Sequence, residues 1–233
     1  KNVELIKRIF ETCPEAAKTP NNNNVYPIHL ACHHNTSVEV IDILLEHDPN
    51  NETLKMKSKH HGFLPLHFAC SNRNTSIEVL RCLIFKDSKT VSVQGKIGIT
   101  PLRIAIAEHH SVEAIELLLR YGSDFSTLSA GKTNPVLLQK LNGMLPLHLA
   151  CLKGCSVDVV SLLLGADVED KCYYSIVECE EFDLKNATIL HIALAHSPVD
   201  VINLFLLKEV KAKCTLLEDE SENFLAKKQE GRE

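Results

Sequence analysis

Twelve histidines and nine cysteines are the residues of this 233-residue chain with the most chemistry to offer. They could hold a metal or form a nucleophile–base pair. A zinc site needs about four converging ligands at tight spacing. Cys151 and Cys155 lie four apart and Cys172 and Cys179 seven apart, but no second matching pair stands near either. The doublets His33-His34, His60-His61 and His109-His110 complete no such set. Nothing in the order of residues aims a cysteine at a histidine, as nucleophilic catalysis requires. Gly131-Lys132-Thr133 matches the end of a phosphate-binding loop, yet Ser126 stands where that loop needs glycine, and no strand leads into it. No catalytic residue, metal site or cofactor is therefore expected.

An odd number of cysteines leaves at least one unpaired. Cys32, Cys70 and Cys151 recur at one place in apolar segments and read as small buried hydrophobes. Free thiols predict a reducing, intracellular compartment, cytoplasmic or nuclear. The acceptor triplets at Asn35, Asn51, Asn74 and Asn186 read as chance matches to a short glycosylation pattern.

The histidines instead mark a repeat. Pro27-Ile28-His29-Leu30-Ala31-Cys32 returns as Pro65-Leu66-His67-Phe68-Ala69-Cys70 and as Pro146-Leu147-His148-Leu149-Ala150-Cys151. Looser copies are Pro101-Leu102-Arg103-Ile104-Ala105-Ile106 and Ile189-Leu190-His191-Ile192-Ala193-Leu194. A histidine that recurs once per unit is expected to bond turn backbone between units. Proline at the first turn fixes φ without forfeiting a helical bond, so each string opens a short helix.

A second string follows each of these and also opens the chain. Its copies begin at Val3, Val38, Ile77, Val112, Val157 and Val199, and positions +3, +6 and +7 from each start are apolar in every copy. That spacing is one face of a helix. Asn2, Ser37, Ser76, Ser111 and Ser156 precede the copies as N-cap residues, and in the last copy Ser197 is expected to cap with Pro198 in the first helical position. An acid follows each start (Glu4, Glu39, Glu78, Glu113, Asp158, Asp200), at the positive end of the helix dipole. Each unit is thus a short helix, a tight turn and a longer helix. One unit cannot cover its own apolar surface, but a stack can.

The composition fits that reading. A hydrophobic fraction of 45% and a charged fraction of 24% are globular values. A net charge of −5, few aromatics and no tryptophan lack the footprint of a nucleic-acid binder. No apolar run is long enough to cross a membrane, and nothing matches a secretion signal. The first residue is not methionine and neither end shows a capping repeat, so the chain is expected to be an excerpt of something longer.

The string Pro-Leu-His-Leu-Ala-Cys, a second helix with Leu-Leu-Leu and a Gly-Ala-Asp stop resemble the ankyrin repeat. The stop is matched at Tyr121-Gly122-Ser123-Asp124 and Gly165-Ala166-Asp167, where glycine is expected to end the helix in a left-handed cap. The resemblance implies an all-α, ankyrin-type solenoid of helix-turn-helix repeats with hairpin-like connecting loops. Residues 1–24 would be the second half of a leading repeat, 25–210 five repeats starting near 26, 64, 100, 145 and 188, and 211–233 a charged tail or linker. The family's Thr slot holds Tyr26, Leu64, Thr100, Leu145 and Thr188, and its His slot holds Arg103 in the third unit. Only Thr188 and His191 keep both partners of the family's Thr–His bond. Start points are 38, 36, 45 and 43 residues apart, so this is a long-loop variant.

Three connections stand out: 48–62, basic in its second half; 126–143, with Val136-Leu137-Leu138 as one helical turn; and 170–186, whose first part reads as a long β-hairpin finger. Family partners bind across the hairpin tips and the exposed side of the short helices. Carried onto this chain, that concave face holds His33, His34, Ser71, Asn72, Ala107, Glu108, Leu152, Lys153, Ala195 and His196. The resemblance implies a protein–protein interaction module, a scaffold or adaptor, with a protein partner and no catalysis, nucleic acid or membrane insertion of its own. It would act as a monomeric unit. The alternative is a regulatory or structural ankyrin segment of a larger protein such as a channel or an enzyme.

Overall fold

A computed structural model describes residues 2–122, 141, 143–165, 176–179 and 184–207. Its helices come in pairs. A lone first helix, α1 (Asn2–Thr12), precedes α2 (Pro27–His33) and α3 (Val38–Glu46), α4 (Pro65–Cys70) and α5 (Ile77–Lys86), and α6 (Pro101–Ala107) and α7 (Val112–Gly122). Then follow α8 (Pro146–Leu152) and α9 (Val157–Gly165), and finally α10 (Ile189–His196) with α11 over 199–207. The short helices pack on one another in the order α2, α4, α6, α8, α10. The long ones form a second layer in the order α1, α3, α5, α7, α9. The architecture is the all-helical stack expected from the repeat.

The core lies between the layers and runs the length of the stack. Ile41, Leu80, Leu83, Ile115, Leu118, Val160 and Leu163 from the long helices meet Ile28, Leu66, Leu102 and Leu147 from the short ones, all at most 2% exposed. Full burial of such side chains stabilises by roughly 1.5–3 kcal/mol each, which is why the stripe recurs without exception.

Helix boundaries follow the expected chemistry with two exceptions besides Ser37, which makes no side-chain cap bond. Ser76 Oγ accepts from Val79 N–H and Ser111 Oγ from Ala114 N–H, as N-caps do. Ser197 does not cap: its hydroxyl donates to the Cys151 carbonyl at 3.1 Å, and Pro198 stands at the cap, its carbonyl accepting from Ile202 N–H. A bond to the neighbouring unit outcompetes the local one. The second exception is the glycine stop. Gly165 is the last residue of α9 but its φ is not left-handed, because it still belongs to the helix.

Left-handed residues fall elsewhere: Asn35, Asn51, His109 and Gly154 lie in other turns, and four more share a fixed slot. Asn24, Gly62, Gly98 and Gly143 have φ of 54°, 66°, 79° and 75°, each three residues ahead of the next inner-helix proline. Glycine and asparagine tolerate that region. Each closes a small finger: Asn21 N–H bonds Val25 O, Ser58 N–H bonds Phe63 O, Gly95 N–H bonds Ile99 O and Leu141 N–H bonds Met144 O. Adjacent fingers are joined, Lys59 N–H to Asn23 O and Lys96 N–H to His61 O, each at 2.8 Å.

The longer connections split between these fingers and other structure. Residues 48–62 hold a 3-10 turn (Thr53–Lys55) anchored by buried Asp48, whose Oδ2 accepts from Thr53 N–H at 2.7 Å and Thr53 Oγ1 at 2.8 Å. Burial alone would raise the Asp48 pKa, but the Thr53 bonds and nearby Lys18 hold it below the ordinary value. In the third connection β1 (Ile176–Cys179) pairs antiparallel with β2 (Leu184–Thr188), Ile176 opposite Thr188, so a hairpin is present. Most of 126–143, with its Val136-Leu137-Leu138 turn, the Tyr173–Tyr174 pair and the tail 211–233 lie outside the described residues.

Candidate interaction face

The inner-helix histidines share one local bond, and His29 and His67 add a second to the next unit. Each occupies the third helical position, so its ring folds back on the residue before the helix. Nδ1 of His29 accepts from Tyr26 N–H at 3.1 Å, and His67 and His148 accept likewise from Leu64 and Leu145 at 3.2 Å. An accepting Nδ1 puts the proton on Nε2. Nε2 of His29 donates to Met56 O at 3.0 Å, just ahead of the next finger, and that of His67 to Ile99 O at 3.2 Å, within the next finger. Burial pushes both pKa values down to about 4, and their carbonyl partners only partly offset this. These rings are neutral struts between units. Thr188 Oγ1 lies 2.8 Å from His191 Nδ1, the Thr–His contact that only this unit can make.

Arg103 takes the histidine slot in α6 and keeps its long-range bond. Its Nη1 donates to Met144 O at 2.8 Å, two residues ahead of the next proline, where His67 finds Ile99 O. The side chain is 3% exposed and its Nε has no acceptor. Burial lowers its pKa to about 10.

A second set of cross-unit bonds went unread in the sequence. Two residues ahead of three of the long helices, His110 Nε2 donates to Cys70 O, Ser197 Oγ to Cys151 O, and Cys155 Sγ to Ile106 O. Three different side chains perform one task, so residue type carries no repeating signal. Asn35, one of the triplet asparagines, accepts from Ser76 N–H through Oδ1 and so also serves the frame.

Upon this frame the structure divides the ten face residues. His33, Ser71 and Asn72 form one set. Ser71 Oγ donates to Phe68 O and lies 3.2 Å from His33 Nδ1, while Asn72 Nδ2 donates to His33 O at 2.7 Å. Ser71, Ala107, Glu108 and Lys153 line a groove of about 500 Å³ running across α4, α6 and α8. Leu152 is half-buried against the core, and His34, Ala195 and His196 are exposed away from that groove.

The groove contains more than the sequence pointed to. Its floor and wall include Ile104, Leu149 and Arg103 from the inner helices and Phe63, Ile97, Ile99, Leu141 and Met144 from three fingers. Ile104 and Leu149 fill the variable apolar place after the histidine slot, a signal that was present. The finger residues converge only through the ladder of joined fingers. Among the described residues, no group of three or more His, Cys, Asp or Glu could hold a metal, and no helix is long and apolar enough to cross a membrane. Cys32, Cys70, Cys151 and Cys155 are buried free thiols, and burial raises the pKa of each.

Paired helices stacked in two layers, with inner-helix side chains bonding from unit to unit and fingers on one edge, define a helical-repeat interaction module. The family model for ankyrin repeats matches three times, over residues 1–94, 74–172 and 102–217, and the chain belongs to the ankyrin repeat family. It is similar to the probable 26S proteasome regulatory subunit p28 of Saccharomyces cerevisiae, 32% identical over 126 residues. The match covers 53% of this chain and 52% of that protein, so the chain spans about half the length of the curated relative it matches.

Proposed function

We propose that this chain is a protein–protein interaction module, a scaffold or adaptor, that holds a protein partner across the inner-helix face and the finger tips. The observation that carries the proposal is the groove across α4, α6 and α8. Residues that differ from unit to unit gather there on a frame that does not differ. The module works inside the cell as a single copy, takes no cofactor or nucleic acid, and contributes no catalysis. The test is affinity capture from cell extract with the whole chain and with a variant carrying Asn72→Asp, Glu108→Lys and Lys153→Glu. A partner captured by the parent and lost from the variant supports the face. Equal capture of a partner by both chains refutes the assignment of these residues.

A second reading is favoured by one finding, that the yeast relative is a probable proteasome regulatory subunit. On that reading the chain is a regulatory segment of a larger assembly or multidomain protein, such as a channel or an enzyme. Native sizing of the endogenous protein decides between them: migration only at the mass of the free polypeptide sinks this second reading.

A further inference from the structure

We infer that the groove across α4, α6 and α8 receives an acidic side chain of a partner segment, seated against Arg103 and flanked by aliphatic residues. The inference rests on the interaction-face reading above and adds the chemistry of the ligand. Its starting point is a comparison within the chain. The strut between units needs only a neutral donor to a carbonyl, and His29 and His67 supply one. Arg103 makes the same bond to Met144 O but brings a permanent charge into a site where 3% of the residue is exposed. Burying a charge without a counter-ion is costly, and a buried guanidinium ordinarily faces a carboxylate. Among the described residues no ion pair reaches Arg103, and its Nε has no acceptor. The structural task therefore does not account for the arginine.

The side chain forms part of the groove wall, and the groove supplies the rest of a site. Ile97, Ile99, Ile104 and Leu149 offer an apolar lining, and Lys153 adds a second cation at the rim. A volume of about 500 Å³ falls within the range of roughly 300–1,000 Å³ for ligand pockets. Glu108 lies on the same rim and repels a dense acidic run, so the fitting ligand carries one carboxylate among aliphatic side chains. A planar guanidinium takes a carboxylate through two parallel bonds, which a histidine in the same slot cannot do.

Arg103→His separates strut from charge, because histidine is the native solution in the first two units. A phage library of random peptides, joined to the coat protein at their C-termini, is selected on the whole chain. The expected outcome is enrichment of Asp or Glu between Leu, Ile or Val. A synthetic, C-terminally amidated copy of a selected peptide should bind about tenfold more weakly after Asp→Asn, and about tenfold more weakly to the Arg103→His protein. In Arg103→His the Asp→Asn change should no longer matter. Peptides without acidic enrichment, or indifferent to both changes, overturn the inference, as does a library that yields no binder. Peptides insensitive to Arg103 but lost with Lys153→Glu and Asn72→Asp overturn the carboxylate while leaving the face. Peptides insensitive to all three substitutions overturn both. The Asp→Asn arm uses the parent protein alone and stands even if a variant folds poorly.

Discussion

His67 in the second unit and His191 in the fifth begin with the same local bond. Each Nδ1 accepts from the backbone N–H of the residue ahead of its helix, at 3.2 Å in both. Their surroundings then diverge. His67 is fully buried, bonds Ile99 O of the next finger and stacks on Phe63 with ring centroids 5.0 Å apart. His191 is exposed and turns to Thr188 Oγ1 instead. The motif alone therefore makes a helix cap. The neighbouring unit converts that cap into a strut and suppresses its protonation. In a stacked protein, a residue's role belongs to the interface as much as to its own segment.

Acid should break the comparison most visibly. His29 and His67 have folded pKa values of about 4, below the unfolded value of about 6.5. Between those values the unfolded chain binds more protons, so stability falls as pH drops from about 6.5 towards 4 and is unaffected by these groups above that window. The loss should approach roughly 3 kcal/mol per histidine at pH 4. Urea unfolding at pH 7, 5.5 and 4.5 measures it, and His67→Gln should remove part of the slope. The core sets the next scale. Leu83→Ala, in α5 where both neighbours cover it, should cost about 2–5 kcal/mol by the same method. A smaller loss would show that the stack collapses around the cavity.

Direct truncation sharpens the histidine contrast at neutral pH. His67→Ala strands the buried Leu64 N–H and takes one of two donors from Ile99 O, and should cost about 1–3 kcal/mol, against under about 1 kcal/mol for His191→Ala. Equal losses would mean the cap, not the neighbour, carries the stabilisation. The smallest effect is a gain. Thr75 occupies the place from which His110, Cys155 and Ser197 bond across units, but its buried hydroxyl has no partner. Thr75→Val should stabilise by about 1 kcal/mol, read as an upward shift in thermal midpoint.

How far the sequence revealed this structure depends on where each signal resides. The long-helix stripe and the proline-led short helices were legible, because burial and φ restriction act on neighbouring positions. The cap by Ser197 was misread, since its side chain is turned to the Cys151 carbonyl, 46 residues away, and donates there. The cross-unit bonds of His110, Cys155 and Ser197 were invisible because a ring nitrogen, a thiol and a hydroxyl share one geometric role. The substitution of Arg103 for histidine was plain in the sequence. That no carboxylate answers it among the described residues is a fact about space. The groove was half legible: Ser71, Ala107, Glu108 and Lys153 follow from the motif, but Phe63, Ile97 and Leu141 arrive through separate fingers.

The left-handed slot three places ahead of the first four inner helices has a wider consequence. It works as a fixed post to which the chain is pinned before each of these helices begins. Slack paid out between a long helix and its post leaves the registry of the stack untouched, and closing a longer excursion adds little entropic cost. Spacings from 36 to 45 residues can thus share one scaffold, and the rim of the molecule is free to be lengthened and re-lettered while its spine keeps the same metre.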